Sequence, residues 1–113
     1  APLGWHVPTD AEWTTLTDCL GGEPVAGGKM KAVTLWSIPN VDATDFSGFT
    51  GFPGGTRYDG GGYDDSPSRG NWWSSTESDG AASYYRSLGS DTGAAFRITN
   101  DRNYGFSVRC LKD

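Results

Sequence analysis

Residues with side chains suited to catalysis or metal binding are scarce in this chain. One histidine, His6, and two cysteines, Cys19 and Cys110, occur among 113 residues. A single imidazole between Trp5 and Val7, with no nucleophile marked beside it, does not make a triad, so His6 reads as structural. Positive charge is also in deficit. Nine Lys and Arg face 14 Asp and Glu, for a net charge of −5, and no basic stripe is present. That excludes nucleic acid as a partner, because phosphate binding needs such a stripe. No apolar run approaches the roughly 18 residues of a membrane span, and no signal-peptide or tail motif is seen. The length suits one domain, residues 1–113. The start at Ala1-Pro2 reads as that of a domain excised from a larger protein.

What is abundant is glycine and large aromatics, with 17 Gly, five Trp, five Tyr and five Phe. Each Trp can bury about 150–250 Å². The combination predicts a small core and many irregular loops pinned by aromatic anchors. The cysteines bracket the domain, one on a helix and one on the last strand. That placement favours a Cys19–Cys110 disulfide in an oxidising compartment, with two buried free thiols as the alternative.

Local patterning gives an α+β chain. Thr9-Asp10-Ala11-Glu12 is a capping box, and Trp13, Leu16 and Leu20 follow at helical spacing until Gly21-Gly22 ends the helix. Pro24 suits the first turn of a second helix, whose buried side would be Val25, Met30 and Val33. Gly27-Gly28 then requires close approach by another backbone. From Trp36 to Gly70 periodicity vanishes, yet Phe46, Phe49, Phe52, Tyr58 and Tyr63 argue for an ordered long loop with aromatics reaching back to the core. Strands are predicted at Asn71–Thr76, Ala82–Leu88 and Ala94–Thr99, the last with Phe96 and Ile98 inward. A final half-buried strand is predicted over Tyr104–Asp113, completing an antiparallel meander. Arg86 and Glu77 are candidates for a buried pair.

Six spaced motifs carry a resemblance over essentially the whole chain. They are Gly4-Trp5-His6-Val7-Pro8-Thr9-Asp10-Ala11-Glu12-Trp13, Ala26-Gly27-Gly28-Lys29-Met30-Lys31, Phe52-Pro53-Gly54-Gly55, Trp72-Trp73-Ser74-Ser75-Thr76-Glu77, Tyr85-Arg86-Ser87-Leu88 and Gly105-Phe106-Ser107-Val108-Arg109-Cys110. The chain resembles the Fibrobacter succinogenes major paralogous domain. That family looks like a branch of the C-type-lectin fold, similar also to the formylglycine-generating enzyme and to the variable proteins of diversity-generating retroelements. The resemblance implies two helices flanking a small twisted antiparallel sheet, long ordered loops and adjacent termini. It also implies a secreted or surface-anchored bacterial protein, often an adhesin or lipoprotein.

Candidate chemistry follows from these patterns. The copper site of the formylglycine-generating enzyme needs paired cysteines, and no second cysteine lies near Cys110 in sequence. Asp59, Asp64 and Asp65 in a glycine-rich loop are candidate Ca²⁺ ligands without EF-hand spacing. Glu23-Pro24-Val25 and Thr99-Asn100-Asp101 both depart from the lectin calcium motifs. A binding surface is expected from Tyr58, Tyr63, Tyr84, Arg97, Asn100, Asp101, Arg102 and Asn103, with Asp79, Asp91 and Tyr104 nearby, because Tyr and Asn combine apolar contact with adaptable hydrogen bonding. The expected function is a non-catalytic ligand-binding or adhesion module for a protein, peptide or glycan. The alternatives are a structural tip or assembly domain of a surface fibre and a retroelement-diversified binding protein.

Overall fold

A computed structural model describes residues 1–64 and 67–113. The chain is α+β, with two helices and three small antiparallel sheets among the described residues. Strand β1 (Trp5–His6) leads into helix α1 (Asp10–Cys19) and helix α2 (Glu23–Met30). A long loop then reaches the hairpin β2 (Thr56–Arg57) and β3 (Tyr63–Asp64). The main sheet is the meander β4 (Arg69–Glu77), β5 (Ala82–Gly89) and β6 (Ala95–Asp101), and β7 (Leu111–Lys112) closes the chain against β1. No helix among the described residues is long and apolar enough to cross a membrane.

Helix α1 starts where its capping box predicts. The Glu12 N–H donates to Thr9 Oγ1 at 3.2 Å, and the Thr9 N–H donates to the Glu12 carboxylate at 2.8 Å. Trp13 and Leu20 are buried, Leu16 packs beside them, and Thr17 adds a buried hydroxyl. Helix α2 follows with Pro24 in its first turn. Met30 and Ala26 are fully buried, whereas Val25 and Val33 are exposed, because the buried side of this helix runs through Ala26, Gly27 and Met30 and Val33 lies beyond its end. The close approach at Gly27-Gly28 is real. A Cβ on Gly27 would fall on the Ala94 carbonyl and one on Gly28 on the Asp42 carbonyl, and the Gly28 N–H donates to Gly93 O at 2.9 Å.

The long loop is ordered because it finishes α2. A helix leaves its last carbonyls without intrahelical donors. Here Thr44 N–H donates to Gly28 O, Ser47 N–H to Lys29 O and Gly51 N–H to Met30 O, at 2.8–2.9 Å. Next to them Lys31, fully buried, sends its ammonium to Val41 O, Gly89 O and Thr92 O at 2.7–2.9 Å. All three of its protons are therefore used, joining the loop to the end of β5 and to the β5–β6 turn. Burial pushes the Lys31 pKa down, with the Asp42 and Asp91 carboxylates opposing. Of the loop aromatics, Phe49 reaches the core and stacks edge-on between Trp13 and Trp72, with ring centres 5.8 and 5.4 Å away. Phe46, Phe52, Tyr58 and Tyr63 stay exposed.

Two strand expectations change. Only Leu111-Lys112 of the final segment is paired as a strand, with His6 and Trp5. Residues 105–110 instead run beside β4, with Ser107 N–H donating to Asn71 O and Trp73 N–H to Ser107 O. Gly105 is held by two hydrogen bonds to Arg57, so the segment serves three partners in succession and no single ladder forms. Val108 is accordingly exposed. Phe96 and Ile98 face outward, 45% and 40% exposed. Register explains this: Ile98 lies opposite Tyr85 and Phe96 opposite Ser87, on the sheet face away from the helices. The inward positions are Ala95, Arg97 and Thr99, opposite Leu88, Arg86 and Tyr84.

The expected disulfide is absent, and both cysteines are free. Cys19 is solvent-exposed at the last position of α1, while Cys110 lies partly buried in the cleft that the preceding turns of that helix line through Glu12, Trp13 and Leu16.

Two substitutions test this packing by thermal or urea unfolding. Gly27→Ala would stabilise an unobstructed helix by about 1 kcal/mol. Here it is expected to destabilise by about 1–3 kcal/mol, through collision with the Ala94 carbonyl. Lys31→Met leaves three inward carbonyls without a donor and is expected to cost about 3 kcal/mol or more. A Lys31→Met protein as stable as the wild type would remove the central role of that ammonium.

Candidate functional site

The two faces of the main sheet differ in kind. On the inner face, Arg86 of β5 is 1% exposed and carries its charge to the start of α1. Arg86 Nη1 donates to Asp10 Oδ1 at 2.7 Å, and Nη2 reaches Asp10 O at 3.2 Å and Thr14 Oγ1 at 3.0 Å. Arg97, opposite Arg86 in register, binds the same carboxylate, with its Nη2 2.8 Å from Asp10 Oδ2. Its guanidinium also lies over the Tyr84 ring, 4.0 Å from the centre. Burial alone would raise the Asp10 pKa, but the hydrogen bonds and charges of Arg97 and Arg86 outweigh it and hold it low. The expected Arg86–Glu77 pair is therefore replaced. Glu77 points instead to Arg102, 3.2 Å away at the surface. Tyr84 and Arg97, both expected in a ligand surface, are thus brought together here, in the junction that docks α1 on the sheet.

The outer face is aromatic and half-exposed. Trp72 is in the core, so its neighbour Trp73 must point outward, where it faces Tyr85 across the β4–β5 pair with ring centres 5.8 Å apart. Phe106 sits 4.5 Å from each of those rings, tilted by 37° and 41°. Tyr104 continues the row at 6.5 Å from Phe106, and Tyr58 of the hairpin region meets Tyr104 at 6.2 Å. Phe96 and Ile98 extend the same face across β6. Partial burial raises the Tyr85 hydroxyl pKa. Five rings and two further apolar side chains thus form one amphipathic strip, with phenolic hydroxyls as its polar handles.

The remaining expected site residues border this strip or lie at its ends. Tyr63 is exposed on β3, and Asn100 shares the outer face of β6 with Ile98. Asp101 ends β6, and it and the turn residues Arg102 and Asn103 are exposed. Asn100 Oδ1 accepts from the Asp101 N–H at 2.8 Å, and the Arg102 N–H donates to Ala81 O at 3.0 Å. Asp59 is exposed in the β2–β3 turn and Asp64 lies opposite Thr56, while Asp65 is outside the described residues. Among the described residues no three His, Cys, Asp or Glu side chains gather to hold a metal ion. Sequence reasoning missed Trp73, Tyr85 and Phe106 as a surface. The signal was the Trp72-Trp73 pair, since adjacent strand residues must take opposite faces.

A model of the Fibrobacter succinogenes major domain family matches residues 1–112. The chain belongs to that family. No curated protein and no solved structure gives a significant match. In this member of the family the six motifs are spent largely on architecture. The first supplies the α1 cap and Asp10, the second the glycines that meet the loop and Lys31, and the fifth Arg86. The outer strip draws on both: Trp73, Tyr85 and Phe106 fall within the fourth, fifth and sixth motifs, and Tyr58, Phe96, Ile98 and Tyr104 lie between or beside them.

His6 also has a defined place in the Fibrobacter domain. Its Nδ1 lies 2.6 Å from Asp113 Oδ1 and its Nε2 3.0 Å from Glu12 Oε1, so one ring bridges the chain's two ends and the α1 cap. Its pKa is raised by the hydrogen bond to Asp113 first and by that to Glu12 next. The Glu12 pKa is lowered, chiefly by the Thr9 N–H and then by His6. A raised histidine pKa gives stability that is complete below its ordinary value, about 6.5, and is lost as pH rises through the folded value. The melting temperature of the wild type is therefore expected to fall between about pH 6 and 9 relative to His6→Gln. Parallel profiles for the two proteins would remove the charged bridge.

Proposed function

We propose that this domain is a non-catalytic binding or adhesion module of a secreted or surface-anchored bacterial protein, with a C-type-lectin-like fold. Its ligand is a protein, peptide or glycan held on the outer sheet face and the adjoining β2–β3 hairpin. The observation that carries this proposal is the strip from Tyr58 through Tyr104, Phe106, Trp73 and Tyr85 to Ile98 and Phe96. Tyr58, Phe96 and Ile98 are exposed and the rings between them half-buried. Retention of such residues on one surface favours contact with another molecule, and Tyr and Trp give large rigid contact area at low entropic cost. No cofactor is called for.

Screening the domain against a glycan array and a displayed peptide library supplies the ligands for the test. Phe96→Asp and Ile98→Asp are each expected to weaken binding by about tenfold or more. Tyr84→Phe on the inner face should leave it unchanged. Ligands indifferent to both aspartates would reject the outer face. A second function, assembly into a surface fibre, is favoured by the position of β6 at the sheet edge with two apolar side chains exposed. Sedimentation showing self-association that either aspartate abolishes, with no ligand found, would replace the first proposal by the second.

A further inference from the structure

On the helix side of the sheet, away from the aromatic strip, a cleft of about 420 Å³ opens between β1, α1, residues 47–49 and the end of the chain. That size falls within the range of small-molecule sites, about 300–1,000 Å³. Trp5, Trp13, Leu16, Phe49 and Leu111 give it apolar walls. Arg109 stands exposed at its rim, and Trp13 is buried in its wall. The Arg109 guanidinium lies over Phe49, 4.6 Å from the ring centre, and meets no carboxylate among the described residues. The indole N–H of Trp13 is buried with no acceptor among the described residues.

The other charged wall, Glu12, is already engaged. Its carboxylate accepts from the Thr9 N–H at 2.8 Å and meets His6 Nε2 at 3.0 and 3.1 Å. The cleft therefore offers one cation with no carboxylate partner among the described residues, beside aromatic and aliphatic surface. A carboxylate answers that cation, since a guanidinium pairs with it through two parallel hydrogen bonds. An apolar body answers the walls.

We infer that this cleft binds a small apolar carboxylic acid, aromatic or branched aliphatic, with Arg109 at the carboxylate and the hydrocarbon among Trp5, Leu16, Phe49 and Leu111. The same chemistry is offered by a free acid and by the C-terminal residue of a peptide. The inference does not depend on the outer face.

Calorimetric titration of the domain with N-acetyl-phenylalanine, with its amide and with a short peptide ending in phenylalanine tests it. The acid is expected to saturate below about 10 mM, and the amide to bind about tenfold more weakly or less. Arg109→Gln should bring the acid down to the level of the amide without moving the melting temperature, and Arg109→Lys should retain part of the difference. A peptide about tenfold tighter than the acid identifies a chain end as the ligand, and equal affinities identify the free acid. Equal binding of acid and amide to the wild type would overturn the inference. So would no binding of the acid at about 10 mM, or an Arg109→Gln protein that binds as the wild type does.

Discussion

A single buried ammonium joins the parts of this domain that have least regular structure. Lys31 follows directly on α2 and donates to carbonyls of residues 41, 89 and 92. An isolated charge in that position would be prohibitive, and it is tolerated because every proton has an acceptor. Trp36 lies against it, with the ammonium 5.7 Å from the ring centre. The carbonyls in turn have a donor that no strand or helix supplies. Remove the charge and the long loop, the end of β5 and the β5–β6 turn lose their common point.

The second constraint is the ion cluster at the start of α1. Arg86 is carried by a central strand, Asp10 by the first helical turn and Arg97 by the edge strand. The carboxylate also sits at the positive end of the helix dipole, which favours it there. Together with Phe49 between Trp13 and Trp72, this cluster fixes the helical layer on one face of the sheet. The opposite face is then left with half-exposed aromatic residues and no helix above them. Structure and surface are thus divided between the two faces, and the outer strip lies outside the residues that perform the fixing, whereas the cleft beside Arg109 shares Trp13 and Phe49 with them.

Much of this was legible in the chain. The capping box, the stop at Gly21-Gly22 and the demand of Gly27-Gly28 for a close neighbour are local chemistry, and each took the predicted form. The three meander strands were also readable from alternation and turn residues. What alternation could not supply was the direction of each face. Phe96 and Ile98 are apolar and alternate with polar residues, so they read as core, yet their register with Ser87 and Tyr85 turns them to solvent. The same ambiguity hid Tyr85 behind Tyr84. Cysteine spacing suggested a bridge, but spacing carries no information on how two thiols approach.

The sequence by itself determined the two helices and their ends, the three meander strands, the α+β class and the family, because these depend on neighbours within a few residues or on ordered motifs. Only the tertiary structure decided which face of the sheet is open, which carboxylate takes Arg86, and where Lys31 finds its acceptors. The distant partners among these, Gly89 and Thr92 for Lys31 and Asp10 for Arg86, are 58, 61 and 76 residues away in the chain. Such partners meet only after the helices and sheet have packed, so no local pattern encodes them. The apolar cleft beside Arg109 is of the same kind, since its walls come from both ends of the chain and the middle of the loop.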